Sequence, residues 1–230
     1  MNLATMIPIM LATKKATMLI LMKRDDIMAS YCQMQIVFYS HKAKLIKDLW
    51  RKINNYMRFS PTRIVYGFLL EEGYTPKKAA SLTGKNNYFV CCNKYVILNK
   101  NLAYLKIETA SAWEVGTRVF YEYICDKYNG QVDMVYLAQE QDSGIFINTD
   151  ETGFYFWQKY KINHFDLKNG DCITKYFGDW NSLCQYVQTV FPKVNMTDIY
   201  DVDDIETKIL DMYSNEDEEF YCDIHKFICP

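Results

Sequence analysis

Between Tyr31 and Arg58 the apolar residues change spacing once, from every second position to every third or fourth, and neither an all-helical nor an all-strand fold accommodates that change. Cys32, Met34, Ile36 and Phe38 alternate with Tyr31, Gln33, Gln35 and Val37, which predicts a half-buried strand over 31–39. Ser40 is placed to cap a helix. Over 41–58, Leu45, Ile46, Leu49, Trp50, Ile53, Tyr56 and Met57 recur at helical spacing, while Lys42, Lys44, Lys47, Arg51, Lys52 and Arg58 fill the other face. A strand followed by an amphipathic helix with one basic side is the expected start of the fold.

Ser60-Pro61 and Gly73 read as the start and stop of a second helix with a stripe of Ile64, Val65, Phe68 and Leu69. Thr75-Pro76 reads as a turn, and β-prone runs at 88–92, 95–98 and 102–108 read as a meander. Ser111 and Glu114 have capping-box spacing, predicting a helix to about Tyr128 with Trp113, Phe120, Ile124 and Tyr128 on one face and Gly116 permitting close approach to the sheet. Strand-like stretches follow at 132–138, 144–148, 153–157 and 160–165. Across 31–138 the order strand, helix, strands, helix, strand predicts an α+β fold built on a ferredoxin-like βαββαβ antiparallel sheet, with added hairpins. From Asp171 the pattern is strand (172–177), helix (180–191), strand (194–200), helix (202–214) and strand (220–228), a small C-terminal α/β extension. The expected organisation is a poorly ordered extension over 1–28, a ferredoxin-like domain over 29–168 and the extension over 169–230.

Lys14 and Lys15 split the apolar N-terminal run, which suits neither a secretory signal nor a spanning helix, and Met28 is a plausible alternative start. No membrane association is expected. The eight cysteines include no CxxC pair, and His41, His164 and His225 stand far apart, so zinc spacing is absent. Thiols in apolar runs point to a reducing cytoplasm, with no cofactor. The net charge of −2 conceals an asymmetry: residues 1–130 carry 19 Lys and Arg against 9 Asp and Glu, and the remainder carries 7 against 19. Such polarity marks a surface for phosphates, a surface for a basic partner, or two halves that neutralise each other.

No GxSxG, HExxH or P-loop pattern is present. Glu140, Asp142, Asp150 and Glu151 gather around a predicted hairpin, as a solvated turn or as hard oxygen ligands for a divalent cation. Trp113 is read as a core residue or a ligand-facing ring, and with Glu140 and Asp150 it makes up the candidate binding surface. Lys44, Lys47 and Arg51 are the candidate phosphate contacts. A Cys91-Cys92 nucleophile with His164 as base is the distant small-hydrolase reading. RNA-recognition modules share the βαββαβ order, and the stretch from Lys85 to Val90 echoes their sheet motif in its basic start and aromatic centre.

Three segments, Leu105–Trp113 (LKIETASAW), Val132–Gly144 (VDMVYLAQEQDSG) and Ile145–Phe156 (IFINTDETGFYF), together resemble the phage- and plasmid-associated ferredoxin-like family typified by YubB. The resemblance covers about residues 31–165. It implies a fold and a mobile-genetic-element setting but no established activity, and no iron–sulfur cluster, whose cysteine spacing this chain also lacks. The expected function is a non-catalytic binding or accessory protein with a protein or nucleic-acid partner, and the alternative is a nucleic-acid-binding module.

Overall fold

β1 (Tyr31–Ser40) and α1 (Ala43–Phe59) form where the change of period places them. The computed structural model describes residues 31–83, 87–99, 102–112, 115–141, 143–166, 169–213 and 220–230; the extension expected over 1–28, and with it Trp113, Glu114 and Asp142, lies outside them. Lys42, not Ser40, is the residue before the first helical turn. Ser40 closes β1, where its Oγ accepts the Lys42 N–H and donates to the Gln131 carbonyl. Two short helices follow, α2 (Val65–Glu71) and α3 (Pro76–Thr83). α2 begins four residues beyond Pro61 because Arg63 takes a left-handed φ of 52° and its carbonyl binds the Phe89 N–H, holding this stretch against the sheet. Thr75-Pro76 opens α3 and not just a turn, with proline at the first helical position, where its missing N–H costs nothing.

The strands β2 (Asn87–Cys92), β3 (Val96–Asn99), β4 (Leu102–Ala112), β5 (Asp133–Glu140) and β6 (Ile145–Asn148) join β1 in a six-stranded sheet of order β2-β4-β1-β5-β6, with β3 paired to β4. The pairings among these strands are antiparallel. α4 (Arg118–Tyr128) connects β4 to β5. The expected capping box does not form: Ser111 pairs with Cys32 on one side and Asn87 on the other, so two ladders keep it in the strand, and α4 starts at Thr117–Arg118. Gly116 lies in the turn before α4, and it does permit a close approach: Asn87 Nδ2 donates to its carbonyl, and an added Cβ would fall 2.3 Å from that nitrogen.

All four helices cover one face of the sheet. Met34, Ile36, Phe38, Leu105 and Ile107 pack there against Ile46, Leu49, Phe68, Phe120 and Ile124. A second sheet of order β8-β7-β9 is made by β7 (Tyr160–Asp166), β8 (Asp171–Phe177) and β9 (Cys222–Lys226). It therefore takes in residues on the N-terminal side of the boundary expected at 168. Its own helices, α5 (Trp180–Val190) and α6 (Val202–Tyr213), bury Leu183, Val187, Ile205 and Ile209 over Ile162 and Ile224. Between the sheets, Phe156, Tyr176 and Phe227 pack on Val37, Leu137 and Phe146. Ile228 lies beside β6, joined to Ile147 by a parallel bridge in which its N–H donates to the Phe146 carbonyl and its carbonyl accepts the Asn148 N–H.

Two apolar stretches expected to be strands are loops. Across 153–157 the N–H groups of Tyr155 and Phe156 donate to the Asp150 carboxylate and not to a neighbouring strand. Across 194–200, Lys208 Nζ gathers the carbonyls of Asn195 and Thr197. No helix among the described residues is long and apolar enough to cross a membrane.

Candidate functional site

β6 is shorter than β5. It pairs only Leu137–Glu140 with Ile145–Asn148, leaving the first half of β5 as the margin of the sheet. Thr149 continues the ladder by one step, its N–H donating to the Tyr136 carbonyl (3.0 Å) and its Oγ1 accepting the Tyr136 N–H (2.8 Å). The chain then turns on Asp150, 6 % exposed, whose carboxylate accepts from Thr152 Oγ1 (2.6 Å) and from the backbone N–H groups of Tyr155 (2.6 Å) and Phe156 (2.9 Å). That closure carries the rings back over β1, on the face away from the helices. Tyr155 stacks on Tyr39 at 5.4 Å between centroids and meets Tyr104 edge-on at 5.5 Å, while Phe154 meets Tyr155 edge-on at 4.8 Å.

The result is an open depression of about 320 Å³ lined by Tyr39, Val135, Phe154, Tyr155 and the 149–152 backbone turn. Asp133 stands beside Tyr39 as its cross-strand pair. Burial first, then the charges of Asp133 and Asp150, push the Tyr39 phenol above its usual range. The same burial, with Tyr39, Asp150 and Tyr104 nearby, pushes Tyr155 up to about 12. Burial works to raise the Asp150 carboxyl as well, but the hydrogen bonds from Thr152, Phe156 and Tyr155 outweigh it and hold the group below 3.8, so it is a carboxylate at neutral pH. Among the described residues no lysine, arginine or histidine lines the depression. On the other side of the same strand margin, Thr117, Arg118, Tyr121, Met134, Tyr136 and Thr149 line a second open depression of about 310 Å³.

Among the described residues, those singled out in the sequence do not converge. Trp113 and Asp142 lie outside the described residues. Glu140 and Asp150 stand at opposite ends of the β5–β6 hairpin, since Glu140 pairs with Ile145 at the turn whereas Asp150 follows the pairing of Leu137 with Asn148. Glu140 is buried and its Oε2 accepts the Ser143 N–H at 2.7 Å, a turn-holding role. Among the described residues no three His, Cys, Asp or Glu side chains are placed to hold a metal ion. His164 is in the second sheet and Cys91 in the first; both His164 ring nitrogens are engaged, with the Phe165 carbonyl and the Tyr186 hydroxyl. Burial pushes the Cys92 thiol up to about 12, which suits packing and not nucleophilic attack.

Lys44, Lys47 and Arg51 are exposed on one stripe of α1, across the sheet from the aromatic depression, and Arg51 pairs with Asp48 at 2.6 Å. The ion pairs of Arg51, Lys52 and Lys78 all have partners on the N-terminal side of Gly130. Phe89, the aromatic centre of the stretch that echoes an RNA-binding motif, is buried under the helices. On the opposite face the central strands carry Gln33, Gln35 and Glu108 beside Tyr39 and Tyr104, and both of these rings are already packed against Tyr155. The depression beside β5 was not singled out in the sequence. The available signal was Asp150 with Thr152 and Gly153, a turn-forming set, immediately before a run of rings. Comparison of the chain with protein-family models, curated proteins and solved structures found no match.

Proposed function

We propose that this chain is a non-catalytic binding protein, an accessory protein of the phage and plasmid type, whose partner is another protein. The observation that carries this reading is the margin of β5. Rings there are built into a concave surface by a loop that Asp150 organises, and that surface stays open to solvent. The groups on which chemistry would depend are occupied elsewhere in holding the fold: Glu140 in its turn and His164 between Phe165 and Tyr186. The mobile-element setting comes from the family resemblance. The strand order β2-β4-β1-β5, antiparallel throughout, supports reading the first sheet as a ferredoxin-like unit elaborated by β3 and β6. Eight free thiols support a reducing compartment.

Binding to nucleic acid is the second reading, favoured by the exposed stripe of Lys44, Lys47 and Arg51. NMR titration of the isotope-labelled chain with a pool of short peptides, and separately with single-stranded oligonucleotides, scores the two readings. The protein-partner reading expects peptide-induced shifts around Tyr39 and Thr149–Tyr155. It expects oligonucleotide binding no tighter than about 10⁻⁴ to 10⁻⁶ M at physiological salt, lost when Lys44, Lys47 and Arg51 are changed to Gln. Tighter, salt-resistant oligonucleotide binding overturns it.

A further inference from the structure

We infer that the depression beside β5 receives one cationic side chain, lysine or arginine, carried on an extended segment of a partner protein that docks along the margin of β5. The inference rests on the protein-partner reading above and gives that partner its chemistry.

The charge of the site comes first. Asp150 and Glu151 line the depression, Asp133 flanks Tyr39, and among the described residues no cationic side chain lines it to balance them. Asp150 has its oxygens filled by N–H and O–H donors and acts through its charge, whereas Asp133 and Glu151 are exposed, Glu151 carrying a long contact from the Cys229 thiol (3.9 Å) that a cation can displace. The other walls include the rings of Tyr39, Tyr155 and Phe154, the last 62 % exposed, beside Val135, Thr149 and Thr152. The negative π-face of an aromatic ring attracts an ammonium or guanidinium group, and a nearby carboxylate adds to the attraction. Carboxylates and ring faces together select an organic cation and repel phosphates and acidic side chains.

The shape decides how that cation is carried. An open depression of about 320 Å³ does not enclose a free small molecule, so most of the hold on a ligand has to come from outside it. The strand margin provides that hold. Tyr136 directs its N–H and C=O away from β1, toward Thr149. Strand alternation turns the N–H and C=O of Met134 the same way, two residues earlier and beyond the reach of β6. An extended segment laid along this margin presents successive side chains to opposite faces of the sheet. One enters the depression with Tyr39 and Tyr155; the next enters the one with Arg118, Tyr121, Met134 and Tyr136, which suits an apolar or acidic side chain. Two depressions on the two sides of one strand margin are what an added strand needs.

The test uses the full chain and short capped peptides carrying Lys, Arg or Gln at a central position next to Leu, together with free propylammonium, measured by NMR titration. The Lys and Arg peptides are expected to bind with shifts at Tyr39, Met134 and Thr149–Tyr155, the Gln peptide about tenfold more weakly, and propylammonium weaker still. Glu151→Gln and Phe154→Ala, both at exposed positions, are expected to weaken the Lys peptide while leaving the thermal midpoint unchanged. A Gln peptide that binds as well as the Lys peptide overturns the cation site and leaves the protein-partner reading standing. Propylammonium that binds as tightly as the Lys peptide overturns the docked segment. If no peptide from this set or from the wider pool binds, the protein-partner reading falls with the inference.

Discussion

Replacing Asp150 by Ala removes the acceptor on which the 150–156 turn closes. Three hydrogen bonds go at once, from Thr152 Oγ1 and from the N–H groups of Tyr155 and Phe156. A hydrogen bond to a charged acceptor is worth about 1.5–3 kcal/mol, and a buried donor left without one costs about 1–3 kcal/mol. Phe156 is 1 % exposed, so its N–H bears the full cost; the Tyr155 N–H, nearer solvent, recovers part of its loss from water. Removing a buried charge also returns some desolvation energy. The net loss is about 2–4 kcal/mol, which for a folded unit of this size lowers the thermal midpoint by roughly 10 °C. Calorimetry of both proteins at neutral pH measures it. The pH dependence supplies a second reading of the same variant. Because hydrogen bonding holds the folded Asp150 carboxyl below 3.8, its contribution is complete above about pH 4–5 and is lost as pH falls through the folded value. The gap between wild type and Asp150→Ala is therefore constant from pH 7 to about 5 and shrinks below about pH 4. A midpoint shift under about 2 °C, or a gap that ignores acid, refutes the claim that this carboxylate holds the loop.

Gly116→Ala is expected to destabilise by about 1–3 kcal/mol in urea titration, since its Cβ would meet Asn87 Nδ2 at 2.3 Å and Ser111 Cβ at 3.0 Å and displace the bond from Asn87 to the Gly116 carbonyl. An unchanged midpoint would show that the turn yields freely. Thiol labelling at pH 8 is expected to reach the exposed Cys172 and Cys229 first; Cys32 and Cys92, pushed by burial up to about 11 and about 12, and the buried Cys222, shifted upward in the same way, are expected to label only after denaturation. Mass spectrometry of labelled peptides checks the order, and early labelling of Cys222 contradicts its burial.

What local sequence determined is the set of elements whose pattern repeats over enough residues to leave one choice. The alternation in β1 and the helical stripe of α1 each place a continuous apolar face, and burying those two faces against each other is the only economical outcome. The same holds for α4 from Phe120 to Tyr128 and for the stripes of α5 and α6. Where a short signal competed with a neighbour distant in sequence, the neighbour decided. Ser111 carries a capping signal, but β1 and β2 flank it with two ladders, and pairing on both sides outweighs one side-chain cap. The run 153–157 carries strand-forming residues, yet its amide groups found a buried carboxylate before they found a strand. The candidate site is entirely of this second kind. Asp150 could be read as a turn residue, but that Tyr155 would lie on Tyr39, with Asp133 alongside, follows from β5 pairing with β1 and outlasting β6. Periodicity records which face of an element is apolar; which two faces meet, and what their margins leave open to a partner, is set by strand order and strand length, and those are properties of the packed sheet.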